Sequence, residues 1–429
     1  MNRCQALMIA APASGQGKTT VVAGLARHLR NQGQRVRVFK MGPDFIDPMI
    51  HERAGSAPVY QLDAWMMGED HCRALLADAA RDCDWLLLES VMGLYDGHPS
   101  SAEFSRRLGI PVVLLIDGAA MAQTFGALAY GLSQYQHLHC AGVIANKVNS
   151  LGHATLLRQS LPGNLHWIGH LPATPDIALP ERHLGLVTAA DIDDLETRLD
   201  ACARWIADAG LHLPESPWQA PTAPANPLLP DPRLQGLRIA IARDEAFCFL
   251  YPANLEWLQR SGARLAFFSP LRDQELPPAD AIYLPGGYPE LHLTTLAANT
   301  RLRNQIRTHF LADTPIVAEC GGFLYLLETL AHHDGEQADM VGLIPGHGRV
   351  NQRLAGIGMH AFNTDQGEIR GHAFHYGEWL NGPTAQWQTT PARNTGQGET
   401  VYQDRRLIAS FAHWYFPSAP AVAAHWLLP

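Results

Sequence analysis

A glycine-rich segment near the start of the chain carries residues suited to holding a nucleotide phosphate. It reads APASGQGKTT over 11–20 and leads from a strand-like run into a helix-like run. Glycines allow the backbone angles that turn several N–H groups toward one oxyanion, and the following helix adds its positive end. The P-loop pattern has glycine where this chain has Pro12, and an ordinary Gly/Ser-rich turn is the alternative interpretation. The predicted nucleotide-binding residues here are Ser14, Gly15, Gln16, Gly17, Lys18, Thr19 and Thr20.

Acidic residues at two further strand ends predict a magnesium site next to this loop. Glu89 ends the apolar strand DWLLLES, and Asp44 and Asp47 follow the second strand in KMGPDFIDP. In an open parallel sheet such loops meet at the carboxyl edge, where ligands bind. Because Mg2+ prefers hard oxygen ligands, we expect Thr19, Asp44 and Glu89 to hold it. A solvated loop carboxylate is the alternative for each acid.

A further strand, AGVIANKV, ends at the same edge with Asn146 and Lys147. An amide side chain at that place can donate to and accept from the edge of an adenine base. We therefore predict that both residues bind the nucleotide, with a simple turn as the alternative.

A cysteine followed by two glycines, in ECGG at 319–322, has the pattern of a nucleophile elbow. An apolar strand leads into Cys320 and a helix-like run follows, which exposes the thiol on a strained turn. The helix N-terminus is expected to lower the pKa of that thiol. We predict an oxyanion hole from the backbone N–H groups of Gly321 and of Gly287 in LPGGYPE, with His413 as general base. A buried structural thiol is the alternative, and we adopt it for the other six cysteines.

Strand-like and helix-like segments alternate along both halves of the chain, which predicts an α/β fold with parallel sheets. Residues 214–232 contain seven prolines and almost no charge, which predicts an extended linker. We therefore divide the chain into a phosphate-binding domain at 1–212, a proline-rich linker at 213–235 and a second domain at 236–429. Helices are predicted in the second domain around 252–261, 298–312 and 322–331.

The composition argues against several classes of protein. A net charge of −9 over 429 residues argues against binding nucleic acid through its backbone. We find no apolar run of roughly 18 residues that would predict a membrane span, and expect no signal peptide, because the N-terminal apolar run continues into the phosphate loop. Seven cysteines without a CxxC pair indicate reduced thiols and a cytoplasmic location. A homo-oligomer is compatible with the sequence.

Together these motifs resemble those of the cobyrinic acid a,c-diamide synthase family of corrinoid biosynthesis. The N-terminal half resembles the dethiobiotin-synthetase-like P-loop fold. The C-terminal half resembles the class I (triad) glutamine amidotransferase domain of cobyrinic and cobyric acid synthases. The motifs GPDFIDP and MGLYDG, together with the order of the two domains, carry the resemblance to this family. The resemblance covers the whole chain apart from the linker. It implies that Cys320 is the glutaminase nucleophile, that His413 is its base, and that Asp47, Tyr95 and Asp96 contact the substrate.

Three positions depart from the family pattern. Triad amidotransferases usually carry a glutamate two residues after the histidine; here that position is Tyr415, which leaves the third member of the triad open. Ser90 stands where relatives often have glycine, and Phe45 where tyrosine is common.

The resemblance implies an ATP- and glutamine-dependent ligase that amidates the a and c acetate carboxylates of a corrin acid. Cys320 would release ammonia, ATP with Mg2+ would convert the carboxylate into an acyl phosphate, and ammonia would cross between the domains to displace phosphate. One alternative is a cobyric acid synthase, which amidates other side chains. Another is a partition-type P-loop ATPase, which would explain residues 1–150 but not ECGG. Cobalt-containing and metal-free corrin acids both stay open as substrates.

Overall fold

The computed structural model describes residues 4–174, 177, 188–220, 229–384, 387–393 and 396–429. The chain divides into two compact units, Met1–Asn226 and Pro227–Pro429. The division falls inside the segment predicted to be a linker. Among the described residues, no helix has both the length and the apolar content needed to cross a bilayer.

Strands and helices alternate through the described part of the first unit. The strands are β1 (Gln5–Ala10), β2 (Val36–Met41), β3 (Tyr60–Leu62), β4 (Trp85–Glu89), β5 (Val112–Asp117), β6 (Cys140–Asn146) and β7 (Trp167–His170). The helices are α1 (Lys18–Asn31), α2 (Ile46–Gly55), α3 (Glu69–Asp82), α4 (Ser101–Leu108), α5 (Thr124–Gln134), α6 (Leu151–Ser160) and α7 (Leu195–Asp208).

These strands form one sheet in the order β3-β2-β4-β1-β5-β6-β7, and its neighbouring strands pair in parallel. The predicted parallel sheet is therefore confirmed. The phosphate loop follows the central strand β1, whose residues Leu7 and Ile9 share a core with Leu25 of α1 and Ile206 of α7. Strands buried on both faces read as continuous apolar runs, which is why the sequence reveals them.

The first part of the proline-rich segment is extended, as predicted, because Pro217 forms an antiparallel bridge with Gln5, but it packs on the first unit and is not a free linker there. The N–H of Trp218 donates to the carbonyl of Cys4 over 2.8 Å, which aligns the segment beside β1. The Trp218 indole is buried, and its Nε1–H donates to the carbonyl of Leu108 over 2.9 Å. Burying a large indole with its polar atom satisfied stabilises the packed arrangement of this extended segment. Residues 221–228 of the predicted linker lie outside the described residues.

The second unit is richer in strands. They are β8 (Arg238–Ala242), β9 (Arg264–Phe268), β10 (Ala281–Leu284), β11 (Ile316–Glu319), β12 (Leu327–Ala331), β13 (Gln337–Asp339), β14 (Ile344–Val350), β15 (Gly356–Thr364), β16 (Gly367–His375), β17 (Gly377–Leu380), β18 (Trp387–Gln388), β19 (Thr390–Pro391), β20 (Thr400–Asp404), β21 (Leu407–Ser410) and β22 (His413–Trp414). The helices are α8 (Pro252–Arg260), α9 (Leu293–Ala298), α10 (Thr300–Leu311), α11 (Gly321–Leu326) and α12 (Pro420–Leu427).

The main sheet of this unit has the order β18-β20-β21-β11-β10-β8-β9, and its strands β21, β11, β10, β8 and β9 run parallel. Two smaller sheets have the orders β13-β12-β14-β17 and β19-β15-β16-β22. The helix predicted over 322–331 ends at Leu326, because Leu327–Ala331 pair as β12 with two other strands. Tertiary pairing overrides the local helical pattern there.

Candidate active sites

The phosphate loop occupies the predicted turn between β1 and α1. Gly15 and Gly17 have φ angles of 75° and 88°, in the left-handed region that glycine tolerates. The Lys18 ammonium donates to the carbonyls of Ala13, over 3.2 Å, and Met92, over 2.8 Å. Burial lowers the pKa of Lys18 from its usual value. The ammonium therefore lies against the loop, where phosphate oxygens can replace the two carbonyls as its acceptors.

The ends of β5 and β6 brace this loop. Asn146 donates from Nδ2 to the carbonyl of Gln16 over 2.8 Å, and Gln16 accepts through Oε1 from the N–H of Asp117 over 2.8 Å. Lys147 pairs with Asp117 over 2.8 Å. The amide of Asn146 therefore holds the loop backbone in this structure, and its contact with adenine stays a prediction.

A buried network of charges adjoins the loop. Glu89 accepts through Oε1 from the Thr19 hydroxyl over 2.9 Å and from the Lys40 ammonium over 3.0 Å, and its Oε2 contacts Nε2 of His51. Lys40 also pairs with Asp44 over 3.4 Å and with Asp47. The parallel register of β2 and β4 sets Lys40 opposite Glu89, which explains how the two charges meet.

The network keeps Glu89 ionised although it is buried. Burial opposes its charge, but Lys40 and His51 outweigh that cost and hold the pKa of Glu89 below its usual range. Burial likewise opposes the charge of Lys40, whose pKa is nevertheless raised by Glu89, Asp47 and Asp44. The pKa of Asp47 lies well above its usual value because it is buried beside Glu89 and Asp44. The ionised Glu89 carboxylate and the Lys40 ammonium thus lie together beside the phosphate loop.

Oxygen atoms of the kind that Mg2+ binds lie close together in this network. The Thr19 hydroxyl donates to Glu89 Oε1 over 2.9 Å, so these two predicted ligands are neighbours. Asp44 adds a partly exposed carboxylate, of which Oδ1 accepts from the N–H of Ile46 over 2.8 Å. The predicted ligands Thr19, Asp44 and Glu89 therefore lie around one place, with the Lys40 ammonium among the acids.

The loop MGLYDG meets the phosphate loop, but its predicted substrate residues make internal contacts. A Cβ atom on Gly93 would lie 2.6 Å from the carbonyl of Pro12. Asp96 accepts through Oδ2 from the N–H of Gly93 over 2.9 Å, and the hydroxyl of Tyr95 donates to the carbonyl of Leu132. Their contact with a substrate stays a prediction.

The second centre is built on a strained turn. Cys320 lies between β11 and α11 with φ 46° and ψ −105°, a backbone conformation that residues other than glycine rarely adopt. Its N–H donates to the carbonyl of Ser410 at the end of β21 over 2.8 Å. The arrangement has the strand–turn–helix form of a nucleophile elbow.

Glycines bring the predicted nucleophile, base and oxyanion donors together. A Cβ atom on Gly286 would lie 3.0 Å from Nδ1 of His413 and 3.2 Å from Cβ of Cys320. A Cβ atom on Gly321 would lie 2.9 Å from the backbone nitrogen of Gly287. The residues predicted from ECGG, PGGYPE and the downstream histidine therefore converge on one place.

The pKa of Cys320 is raised, whereas the sequence led us to expect a lowered one. Burial of the thiol is the main cause and the charge of Glu290 adds to it, while the N–H of Gly321 opposes both. The helix that follows is only six residues long, so its dipole is too small to offset the lost solvation. To act as the predicted nucleophile, this thiol would therefore need a base.

His413 is suited to that role because it is held neutral. It is buried and stacks on His372 with ring centroids 5.0 Å apart. Burial, followed by the charges of His372 and His375, lowers the pKa of His413 well below its usual value. A neutral imidazole can accept the thiol proton.

Known proteins share both units. Residues 7–187 match the CobQ/CobB/MinD/ParA nucleotide binding domain, and residues 238–421 match the CobB/CobQ-like glutamine amidotransferase domain. Two hydrogenobyrinate a,c-diamide synthases are each 52% identical to this chain. The one from Pseudomonas aeruginosa matches 100% of this chain and 98% of its own length, and the one from Stutzerimonas stutzeri matches 99% of both. The cobyrinate a,c-diamide synthase of Herminiimonas arsenicoxydans is 47% identical over 100% of this chain and 98% of its own. The chain belongs to the a,c-diamide synthase family.

Membership of the a,c-diamide synthase family decides the class of reaction. The chain is a ligase that combines an ATP-binding domain with a glutamine amidotransferase domain. A partition-type ATPase does not account for the amidotransferase match over 238–421. The relatives named above match over 98% or 99% of their own lengths, and they are named a,c-diamide synthases rather than cobyric acid synthases.

Two residues of this synthase site were missed by the sequence reasoning. Lys40 and His51 bracket the acidic motif in KMGPDFIDPMIH, and His51 lies four residues after Asp47 on α2. Residues four apart share a helix face, so this spacing was the available signal. Of the departures from the family pattern, Ser90 and Phe45 are buried, and Tyr415 is buried without a carboxylate to offer His413.

Proposed function

We propose that this protein uses ATP and glutamine to amidate the a and c carboxylates of hydrogenobyrinic acid, the metal-free corrin acid. The observation that carries the proposal is the full-length similarity to two synthases named for that substrate. A relative named for cobyrinate is somewhat less similar, at 47% identity, which favours the metal-free acid. The substrate would therefore be a large polycarboxylate, and the enzyme would amidate it at two positions by the same reaction.

The first centre would activate the carboxylate. A substrate carboxylate attacks the γ-phosphorus of ATP, which forms an acyl phosphate and releases ADP. The loop N–H groups and Lys18 stabilise the negative charge of the transferring phosphoryl group. Thr19, Asp44 and Glu89 would hold Mg2+, which neutralises phosphate charge when bound. Lys40, within this acidic network, adds a fixed positive charge beside Glu89.

The second centre would supply the nitrogen. Cys320 attacks the side-chain amide of glutamine after His413 takes the thiol proton, and that proton leaves with the departing ammonia. Water hydrolyses the remaining thioester to glutamate and frees the thiol. The backbone N–H groups of Gly287 and Gly321 would stabilise the tetrahedral oxyanion. Ammonia then displaces phosphate from the acyl phosphate and forms the amide.

We assign the activating chemistry to residues 1–212 and the glutaminase chemistry to residues 236–429. A cytoplasmic location suits an enzyme that needs ATP, glutamine and a reduced Cys320. The net charge of −9 disfavours nucleic acid as a partner. Size measurements in solution test whether the protein forms a homo-oligomer.

A parallel assay tests the substrate. Purified protein is incubated with ATP, Mg2+ and glutamine, together with hydrogenobyrinic acid in one reaction and cobyrinic acid in another. Each amidation replaces a hydroxyl by an amino group, so mass spectrometry follows both steps. We expect the metal-free acid to gain two amides at the higher kcat/KM. Preference for cobyrinic acid would overturn the choice of substrate, and no amidation of either acid would overturn the function.

A further inference from the structure

A buried carboxyl group lies next to the glutaminase centre, on the residue before the nucleophile. Glu319 ends β11 and is 1% exposed. Its Oε1 accepts from the N–H of Trp414 over 3.1 Å, and its Oε2 accepts from the hydroxyl of Tyr283 over 2.9 Å. Two donors therefore fix the carboxyl group in one orientation.

That orientation turns Glu319 toward the base. Its Oε2 lies 3.9 Å from Nδ1 of His413, and both side chains are 1% exposed. A distance of this size is longer than a hydrogen bond, but such contacts in unliganded enzymes tighten as charge develops. A carboxylate on the Nδ1 side of the ring leaves Nε2 as the atom that accepts a proton.

We propose that Glu319 is a positioning residue for His413 and takes the third place of the triad that Tyr415 cannot fill. Its ionised carboxylate holds the Nδ1–H tautomer and stabilises the imidazolium that forms when His413 accepts the proton of Cys320. The inference rests on the roles proposed above for Cys320 and His413.

The positions of the protons on Cys320, His413 and Glu319 define the catalytically active state. The Cys320 proton moves to Nε2 of His413 and then to the departing ammonia, while the Nδ1 proton stays on the ring and faces Glu319. This needs Glu319 without its proton. Burial raises the pKa of Glu319 to about 8, so the group gains its charge only as the pH rises through that value. Glutamine hydrolysis is therefore expected to increase over the same range.

Other titratable groups around the centre come from several elements. Tyr283 on β10 faces Glu319, and its hydrogen bond favours the ionised carboxylate. The remaining groups whose charges act on His413 or Cys320 are His372, His375, Glu290 and Glu399. Burial raises the pKa of Glu290 to about 7, so this group also titrates within the pH range of the assay, and the Tyr283→Phe variant is needed to assign the rise to Glu319.

Two substitutions test the proposal. Glu319→Gln keeps an oxygen for the N–H of Trp414 but removes the charge, whereas Tyr283→Phe keeps the carboxylate and removes one donor. The measurements are kcat and KM for glutamine hydrolysis from about pH 6 to about pH 10 and synthesis with ammonium salts. For Glu319→Gln we expect a loss of about 10²-fold in kcat, little change in KM and no rise near pH 8. Ammonium-dependent synthesis should stay.

The Tyr283→Phe variant distinguishes positioning from packing. Loss of a bond to the ionised form raises the pKa of Glu319, so the rise in activity should move to higher pH while the upper plateau stays. If the kcat and the pH profile of Glu319→Gln match those of the wild-type protein, the proposal is overturned. If Glu319→Gln does not fold, an unshifted profile in Tyr283→Phe overturns it instead.

The Cys320→Ala variant separates this inference from the function on which it rests. Glutamine hydrolysis that survives in Cys320→Ala would overturn the glutaminase assignment itself. An inactive Cys320→Ala beside a fully active Glu319→Gln would overturn only the role of Glu319.

Discussion

Gly286 and His413 are packed so closely that a Cβ atom at position 286 would overlap Cε1 of the imidazole ring. The same Cβ would lie 3.0 Å from Nδ1 of His413 and 3.2 Å from Cβ of Cys320. The backbone at position 286 thus packs against both Cys320 and His413. The two side chains can lie this close only because Gly286 has no side chain.

Gly286→Ala should therefore disable glutamine use selectively. The methyl group displaces the His413 ring, and a misplacement of about 1 Å costs roughly 10²-fold in rate. We expect that loss in kcat for glutamine hydrolysis, with ammonium-dependent synthesis retained. Gly131→Ala is the matched control, because a Cβ there meets nothing within 4 Å, and it should behave as wild type. Equal glutaminase rates in the two variants would contradict the packing argument.

Cys320→Ala should uncouple the two centres. Without the thiolate no thioester can form, so glutamine-dependent synthesis should fall to background, while added ammonium salts still supply the nitrogen. Amide formation followed by mass with each nitrogen source is the measurement. Cys72→Ala is a suitable control, because that thiol is also buried but lies in α3 of the first unit. Loss of synthesis with both nitrogen sources in Cys320→Ala alone would indicate a structural thiol.

Lys18→Ala should stop synthesis with either nitrogen source. The ammonium is the charged group that lies within the phosphate loop, and we expect its removal to lower kcat by at least about 10²-fold. Glutamine hydrolysis without corrin acid, measured as glutamate release, should continue. Arg81→Ala removes a positive charge from the exposed end of α3 and serves as the control. Synthesis at the wild-type rate in Lys18→Ala would exclude the loop from the mechanism.

The thiol of Cys320 should titrate above a free cysteine. Its pKa is raised by burial first and by Glu290 second, so the reactive thiolate accumulates only at higher pH. The rate of Cys320 alkylation by iodoacetamide, followed by peptide mass, should still increase with pH above about pH 9, where a free thiol with a pKa of about 8.5 approaches its plateau. A small-molecule thiol in the same buffers is the reference. A plateau near neutral pH would show that the helix end dominates over burial.

Local sequence determined the parts of the protein whose chemistry needs neighbouring residues. The phosphate loop is one such part, since strand, glycines, Lys18 and helix follow one another directly. The turn at ECGG is another, because an apolar strand followed by Cys320 and two glycines predicts its strand–turn–helix form, although the surrounding structure holds the strain. Continuous apolar runs likewise gave the buried parallel strands, including β1 and β5.

Only the tertiary structure decided what depends on residues far apart in the chain. The register of β2 and β4 set Lys40 against Glu89, and the fold of the second unit set Glu319 beside His413. Strand pairing turned Leu327–Ala331 away from the helix that the sequence favoured, and burial of Trp218 packed a segment expected to be a free linker. The raised pKa of Cys320 also depends on residues far apart in the chain. Desolvation is set by every group that packs around an atom, and those groups come from distant strands.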